Sequence, residues 1–532
     1  MRRWNGWGDE ATSSHLPASA ADYLTRYVGP VEPAPDATLE DVLASVPATR
    51  LPPHPLISTD PLTRVFHARG QSIPDWIAMR SGQVGTFPDG VAYPETDDHV
   101  RQLLQLAREA GIHLIPYGGG TSVLGHINPN PDSPPVLTIA MSRFNQLSAF
   151  DEQSHLAEIG AGASGPQIER ILNPLGYTLG HFPQSWELST LGGWIATRSA
   201  GQQSYHYGRI EPLFRGGHVE THAGGWDLLP IPASAAGPDL RELVLGSEGR
   251  FGIITRATVH IRRIAQREVF KAAFFSTWEQ GAEALKAIVR SRNPVSMLRL
   301  SDAQETETTL ALAGKDRLVS FAYGGLRLAG YGERPCMLLY GLTGDAPVVE
   351  FGRRRSAAII RRNGGFLTGN AIGNMWKKSR FTTPYLRNTL WEAGYAVETL
   401  ETAMPWSSVF ETSQALVDAI KQAAARHNET PIVYVHLSHI YPTGASIYIT
   451  FVFRRGSDPG ATLERWQDMK TAASRTIVEK QATISHQHGV GRDHAAYLPA
   501  EKGKIGIDLL NSIQKQLDPL GVLNSGKLLC SK

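Results

Sequence analysis

Residues 116–125 read PYGGGTSVLG and follow His113-Leu114-Ile115, a short apolar run that predicts a strand. Gly118, Gly119 and Gly120 remove every side chain from one bend, and Thr121 and Ser122 add hydroxyls. With no Cβ in the way, backbone N–H groups in such a bend can converge on an anion. The same residues exclude two other phosphate loops. A P-loop ends in Gly-Lys-Ser/Thr, which is missing here. A dinucleotide fingerprint opens a helix, whereas HINPNPDSPP after Gly125 is too rich in proline to start one. Alone, the bend leaves two readings open, an anion cradle or a tight turn.

Two more stretches of the same kind follow. FPQS at 182–185 and STLGGWIATRSAG at 189–201 hold almost no charge, and small residues recur at 189, 190, 192, 193, 196 and 199–201. Small residues permit close packing of elements or a flat ligand against the backbone. GSEGRFGIIT at 246–255 runs into an alternating strand with Ala257, Val259 and Ile261 on one face. Between these stretches the pattern is mixed α/β. Val100, Leu103, Leu104 and Ala107 form one helical face, started by Asp97 and Asp98 and stopped by Gly111. Residues 136–139 and 156–159 predict strands, and Ile168, Ile171 and Leu172 a short helix.

At 532 residues the chain needs more than one domain. We expect an extension over 1–89 docked on a domain at 90–264, an α+β domain at 265–484, and a C-terminal segment at 485–532 that completes the site. Thr38 is the expected cap of a short helix in the extension. Five arginines between Arg353 and Arg362 share a predicted helix, read as a solvated face or as an anionic-surface contact. A net charge of +2 gives no reason to expect nucleic acid as a partner, and Cys336 and Cys530 make no disulfide framework. No apolar run reaches the roughly 18 residues of a membrane span, and MRRWNGWGDE does not read as a signal peptide. The expected location is cytoplasmic.

The three glycine-rich segments, in this order, resemble the FAD-binding domain of the vanillyl-alcohol oxidase-like flavoenzymes. WNGWGDE at 4–10, PYLRNTLWEAGYAVETLETAMPW at 384–406, YPTGASIYITF at 441–451 and SHQHGVGRDH at 485–494 are most similar to the alkyldihydroxyacetonephosphate synthase family. The resemblance runs nearly end to end and implies an α+β fold: a two-subdomain FAD-binding unit plus an α+β cap. It implies non-covalent FAD, held through Pro116, Gly118, Gly119, Gly120, Thr121 and Ser122 at the pyrophosphate. Pro183, Ser189, Thr190, Gly192, Gly193, Ser199, Gly201 and Tyr207 would lie along the flavin, with Glu248, Gly252 and Ile254 towards the adenosine. Arg387 and Arg299 would hold a substrate phosphate, and Tyr448 would move a proton.

One departure stands out. The synthases carry three successive histidines where this chain has His486-Gln487-His488. A glutamine amide hydrogen-bonds but takes up no proton near neutral pH. Acid–base work is therefore expected of His486 or His488. His436 and His439 lie on a neighbouring stretch, and a metal cluster of these histidines is the less favoured reading because no cysteine or carboxylate joins at ligand spacing. The resemblance implies exchange of an acyl for an alkyl chain on dihydroxyacetone phosphate, with FAD oxidised at start and end. The alternative is oxidation of a D-2-hydroxy acid or related hydroxylated substrate on the same scaffold. Expected partners are a small or lipid-like substrate bearing a phosphate or carboxylate, a second copy of the chain in a homodimer, and a peripheral membrane surface.

Overall fold

A computed structural model describes residues 2–12, 15–32, 34–312, 326–327 and 330–530. Helix Asp97–Ala110 forms as its sequence pattern requires. Thr96 caps it through His99 N–H, Gly111 ends it at φ 64°, and Val100, Leu103, Leu104 and Ala107 are buried. They pack on strands His113–Tyr117 and Val136–Ala140, which pair in parallel within a four-stranded sheet completed by Gly90–Ala92 and Ile57–Ser58. A five-stranded antiparallel sheet follows, ordered Leu147–Asp151, Leu156–Gly160, Ile253–His260, Phe214–Thr221, Gly224–Leu228. Its strand Ile253–His260 buries Ala257 and Val259, and Thr258 as well.

Beyond residue 264 a seven-stranded antiparallel sheet takes over. Its order is Phe366–Leu367, Arg267–Phe275, Cys336–Gly344, Met297–Ser301, Ile432–Ile440, Gly444–Arg454, Tyr395–Pro405. Strand periodicity sorts its side chains onto two faces. Leu300, Leu338, Tyr340, Val435, Leu437, Ile447 and Ile449 pack against helices Trp278–Arg290 and Val409–Ala425. Their alternates, Met297, Arg299, Met337, Leu339, His436 and Tyr448, face a cavity. The α+β class follows from these sheets and the helices packed on them.

The first 80 residues straddle both halves. Ile57–Ser58 extends the four-stranded sheet, while Trp7, Ile73, Trp76, Ile77 and Met79 join the core under the seven-stranded one. Thr38 caps helix Leu39–Ala44 in a capping box with Asp41. The C-terminal segment returns to the first domain. Leu114 N–H donates to Val522 O at 2.9 Å, Asn524 N–H donates to Leu114 O at 2.8 Å, and Leu523 is fully buried in the core around Leu114. No described helix is long and apolar enough to cross a membrane.

Leu523→Ala removes a buried side chain at this closing stitch and should destabilise by about 2–5 kcal/mol. A urea-unfolding midpoint equal to that of the parent would show that the tail is dispensable to the first domain.

Candidate active site

A cavity of about 860 Å³ lies between the glycine-rich segments and the open face of the seven-stranded sheet. Of the residues expected at the cofactor, Pro116, Gly118, Gly119, Gly120, Thr121, Ser122, Pro183, Ser189, Thr190, Gly192, Gly193, Ser199, Glu248, Gly252 and Ile254 line it. So do Arg299, Arg387, Tyr448 and His488. Gly201, Tyr207 and His486 stand behind the wall. A Cβ on Gly201 would meet Phe182 N at 2.7 Å, and the Tyr207 ring occupies the space a Cβ on Gly180 would fill. Both serve packing behind the lining.

The glycines answer to a close approach of two backbones. A Cβ on Gly119 would lie 1.8 Å from Leu188 O, and one on Gly118 would lie 2.3 Å from Thr190 Oγ1. The first bend thus rests directly on the second segment. The N–H groups of Gly119, Gly120 and Thr121 find no acceptor among the described residues, and Thr190 Oγ1 is buried without a partner. At Gly193 an added Cβ would touch only Thr190 Oγ1, at 3.4 Å, so the missing side chain leaves room in the cavity. Free N–H donors beside a bare wall fit the pyrophosphate and flat ring of FAD. Glu248 takes a structural part: it accepts Gly491 N–H at 2.8 Å and Val490 N–H at 2.5 Å, and lies 3.3 Å from His126 Nε2. It ties the histidine segment to the first domain.

The two expected anion-binding arginines differ. Arg299 Nη2 donates to Glu305 Oε1 at 2.5 Å and lies 3.3 Å from His436 Nδ1. Its charge is matched before any substrate enters. Arg387 stacks on Trp76 with 4.5 Å from guanidinium carbon to ring centroid, and Nη1 donates to Gln71 O at 2.8 Å. No described carboxylate pairs with it, and burial is the main cause lowering its pKa. Arg387 is therefore the cation with capacity for an anion.

Tyr448 lies flat on His436, with 4.6 Å between centroids and 13° between planes, and edge-on to His488 at 5.9 Å. Burial pushes the Tyr448 hydroxyl up to about 12, so it stays protonated at neutral pH. Burial lowers His488, against the pull of Glu401, and leaves its imidazole able to accept a proton. Gln487 also lines the cavity. His486 turns away from it: Arg209 Nη1 stands 2.7 Å from Nε2, and Nδ1 lies 3.1 Å from Glu401 Oε1. Arginine can only donate, so Nε2 accepts and the proton sits on Nδ1 towards Glu401. His439 stacks on His486, and ligand atoms of Glu401, His439 and His486 lie within 4.8 Å of one another. Glu401 thus brings to the two histidines a carboxylate that sequence spacing did not show, while Arg209 and the Tyr441 hydroxyl, 2.8 Å from Nε2, hold His486 beneath the site.

Sequence reasoning missed Glu305, Glu401 and Arg209, because a single buried charge leaves no periodic trace. It also missed Gln71 and Trp76, whose segment looked like a mere extension.

Gly119→Ala should prevent flavin retention, read as the visible-to-ultraviolet absorbance ratio of the purified protein with circular dichroism unchanged. Full flavin content in that variant would contradict the backbone contact. Another expectation concerns pH. His181 lies behind Ser199, its Nε2 3.2 Å from Oγ, and burial, with Arg209, pushes it from 6.5 down to about 3. Below pH 6.5 the unfolded chain binds a proton there and the folded chain does not, so stability falls as pH drops towards 3. His181→Asn should flatten that fall in urea-midpoint measurements, and an unchanged slope would refute a buried neutral imidazole.

Residues 88–225 match the FAD binding domain family, and residues 264–528 match the family of FAD linked oxidases, C-terminal domain. The chain is 29% identical to the alkyldihydroxyacetonephosphate synthase of Dictyostelium discoideum, over 99% of this chain and 93% of that protein. It is 26% identical to the enzyme of that name from Trypanosoma brucei brucei, over 99% and 92%. A solved structure of an alkyldihydroxyacetonephosphate synthase superposes with a TM-score of 0.85 at 26% identity, over 98% of both chains. The cofactor is FAD, and the chain belongs to the FAD-linked oxidase superfamily as an alkyldihydroxyacetonephosphate synthase-like flavoenzyme.

Proposed function

We propose that this enzyme exchanges the acyl chain of acyl-dihydroxyacetone phosphate for a fatty alcohol, the first ether bond of an ether lipid. The observation that carries the reading is Arg387, a cation without an ion pair that opens onto one cavity with both the glycine bend and an apolar wall of Met297, Met337, Leu339 and Ile372. A phosphate at one end and a long chain at the other match that distribution of charge and apolar surface. FAD, when bound, supplies an electron-deficient ring able to hold an electron pair during the exchange and return it.

The chain's own residues then have separable roles. Arg387 binds the phosphate through its guanidinium. His488, neutral and free of side-chain hydrogen bonds among the described residues, takes the substrate proton. Tyr448 holds its own proton beside it and relays to and from the reacting carbon. Glu305 fixes Arg299 and His436 beneath Tyr448, and Gln487 can orient substrate oxygens without titrating. The reading also includes a homodimer and a peripheral contact with the cytoplasmic face of a membrane. Support for the latter comes from helix Ala346–Arg362, which carries Arg353, Arg354, Arg355, Arg361 and Arg362 around a Phe351 that is 56% exposed.

The flavin-loaded enzyme, given acyl-dihydroxyacetone phosphate and labelled fatty alcohol, should form labelled ether lipid. His488→Gln should lower kcat about 100-fold or more with flavin retained, and Arg387→Ala should abolish turnover with flavin retained. Anaerobic bleaching of the flavin by D-2-hydroxy acids, with no ether lipid formed, would overturn this reading in favour of the oxidation.

A further inference from the structure

The cavity wall holds one more cation, Arg380, which no step above uses. It follows helix Ala371–Ser379, and its guanidinium is caged by rings: 4.7 Å to the Phe381 centroid, 5.1 Å to Phe182, and 5.8 Å to both Phe270 and Trp376. Among the described residues it forms one hydrogen bond, from Nη1 to Gln203 Oε1 at 2.8 Å. No described carboxylate lies within ion-pair distance. Glu268 is engaged by Lys377 at 2.8 Å, and Gln203 stands between the two charges with Nε2 on Glu268 at 3.0 Å. Burial lowers the Arg380 pKa, opposed by Glu268, but a guanidinium stays charged at any physiological pH. A half-enclosed cation with unused N–H groups is costly unless an anion comes to it.

Its surroundings narrow the anion. Trp376, one wall of the cage, packs in the same apolar cluster as Met297, Met337, Leu339 and Ile372. The cage therefore opens beside the surface suited to a long chain. A guanidinium fork pairs with a carboxylate through two parallel hydrogen bonds, and the apolar surface beside the cage suits a carboxylate that carries a long tail. Arg387, with its own stack on Trp76, is already assigned to the phosphate.

We propose that Arg380 is a carboxylate subsite, holding the head of a long-chain fatty acid whose tail lies along Met297, Met337, Leu339 and Ile372. The assignment rests on the acyl-exchange reading, because a fatty acid is what that reaction releases. Arg380 then distinguishes the departing acid, which is charged, from the entering alcohol, which is not.

Binding tests this without turnover. Dodecanoate, dodecanol and dihydroxyacetone phosphate are titrated separately into the flavin-loaded enzyme by calorimetry. Arg380→Gln should weaken dodecanoate by about tenfold or more and leave the other two ligands unchanged. Gln203→Glu, which keeps the cage and neutralises Arg380 with a neighbouring carboxylate, should weaken dodecanoate in the same way if Arg380→Gln fails to fold. Unchanged dodecanoate affinity in either folded variant would overturn the subsite. So would an equal loss for dodecanol, which would mean tail packing alone, or a loss for dihydroxyacetone phosphate, which would make Arg380 a phosphate ligand. Dodecanoate bound through Arg380 by an enzyme that forms no ether lipid would support the subsite and sink the reaction instead.

Discussion

The contact on which the site depends is between two stretches of backbone. Gly118 and Gly119 lie against Leu188 to Thr190 so closely that a single methyl group would overlap a carbonyl oxygen. That approach brings the first bend and the second segment to one wall, and leaves N–H groups of the bend without acceptors among the described residues. The third segment is held to the same wall through Glu248, which also anchors Val490 and Gly491. Without the side-chain-free bend these three stretches would not share a surface, and the histidines near 488 would have nothing to face.

Opposite this wall, the seven-stranded sheet decides what the site can bind. Period-two alternation sends one set of side chains to the helices and the other to the cavity, where Met297, Met337 and Leu339 make an apolar part and Arg299, His436 and Tyr448 a polar one. Charge is then distributed unevenly. Arg299 and Arg209 have acidic or imidazole partners, whereas Arg387 and Arg380 have stacked rings and, among the described residues, single hydrogen bonds. Ring stacking stabilises a guanidinium by about 0.5–2 kcal/mol but does not neutralise it. On the proposed reading, Arg387 meets the substrate phosphate and Arg380 the carboxylate of the acid that the exchange releases.

The helices and strands of the first domain were legible because they are local. Thr96 and Gly111 bracket Asp97–Ala110, and strand alternation announces Ile253–His260. The glycine segments were legible as a set, since glycine and other small residues recur in each of the three and in the order that the family resemblance requires. His486 was not. In sequence it and His488 look equivalent, two residues apart; in the fold one faces the cavity and the other is held by Arg209 and Glu401 beneath it. Arg299 and Arg387 likewise read as a pair, until Glu305 and Trp76 separated them.

What the amino-acid sequence determined alone is the α+β class, the flavin-binding glycine segments and the replacement of a histidine by Gln487. The class is written in residue type and short-range spacing, whereas the flavin reading and the histidine replacement come from the resemblance to the synthase family. What the tertiary structure decided is which charges are matched and which are left over. Glu305, Glu401 and Gln203 lie far along the chain from some of the groups they serve, and the distance from a guanidinium to a carboxylate has no signature in one dimension. That distance separates Arg387 and Arg380, which can receive an anion, from Arg299 and Arg209, which already have their partners.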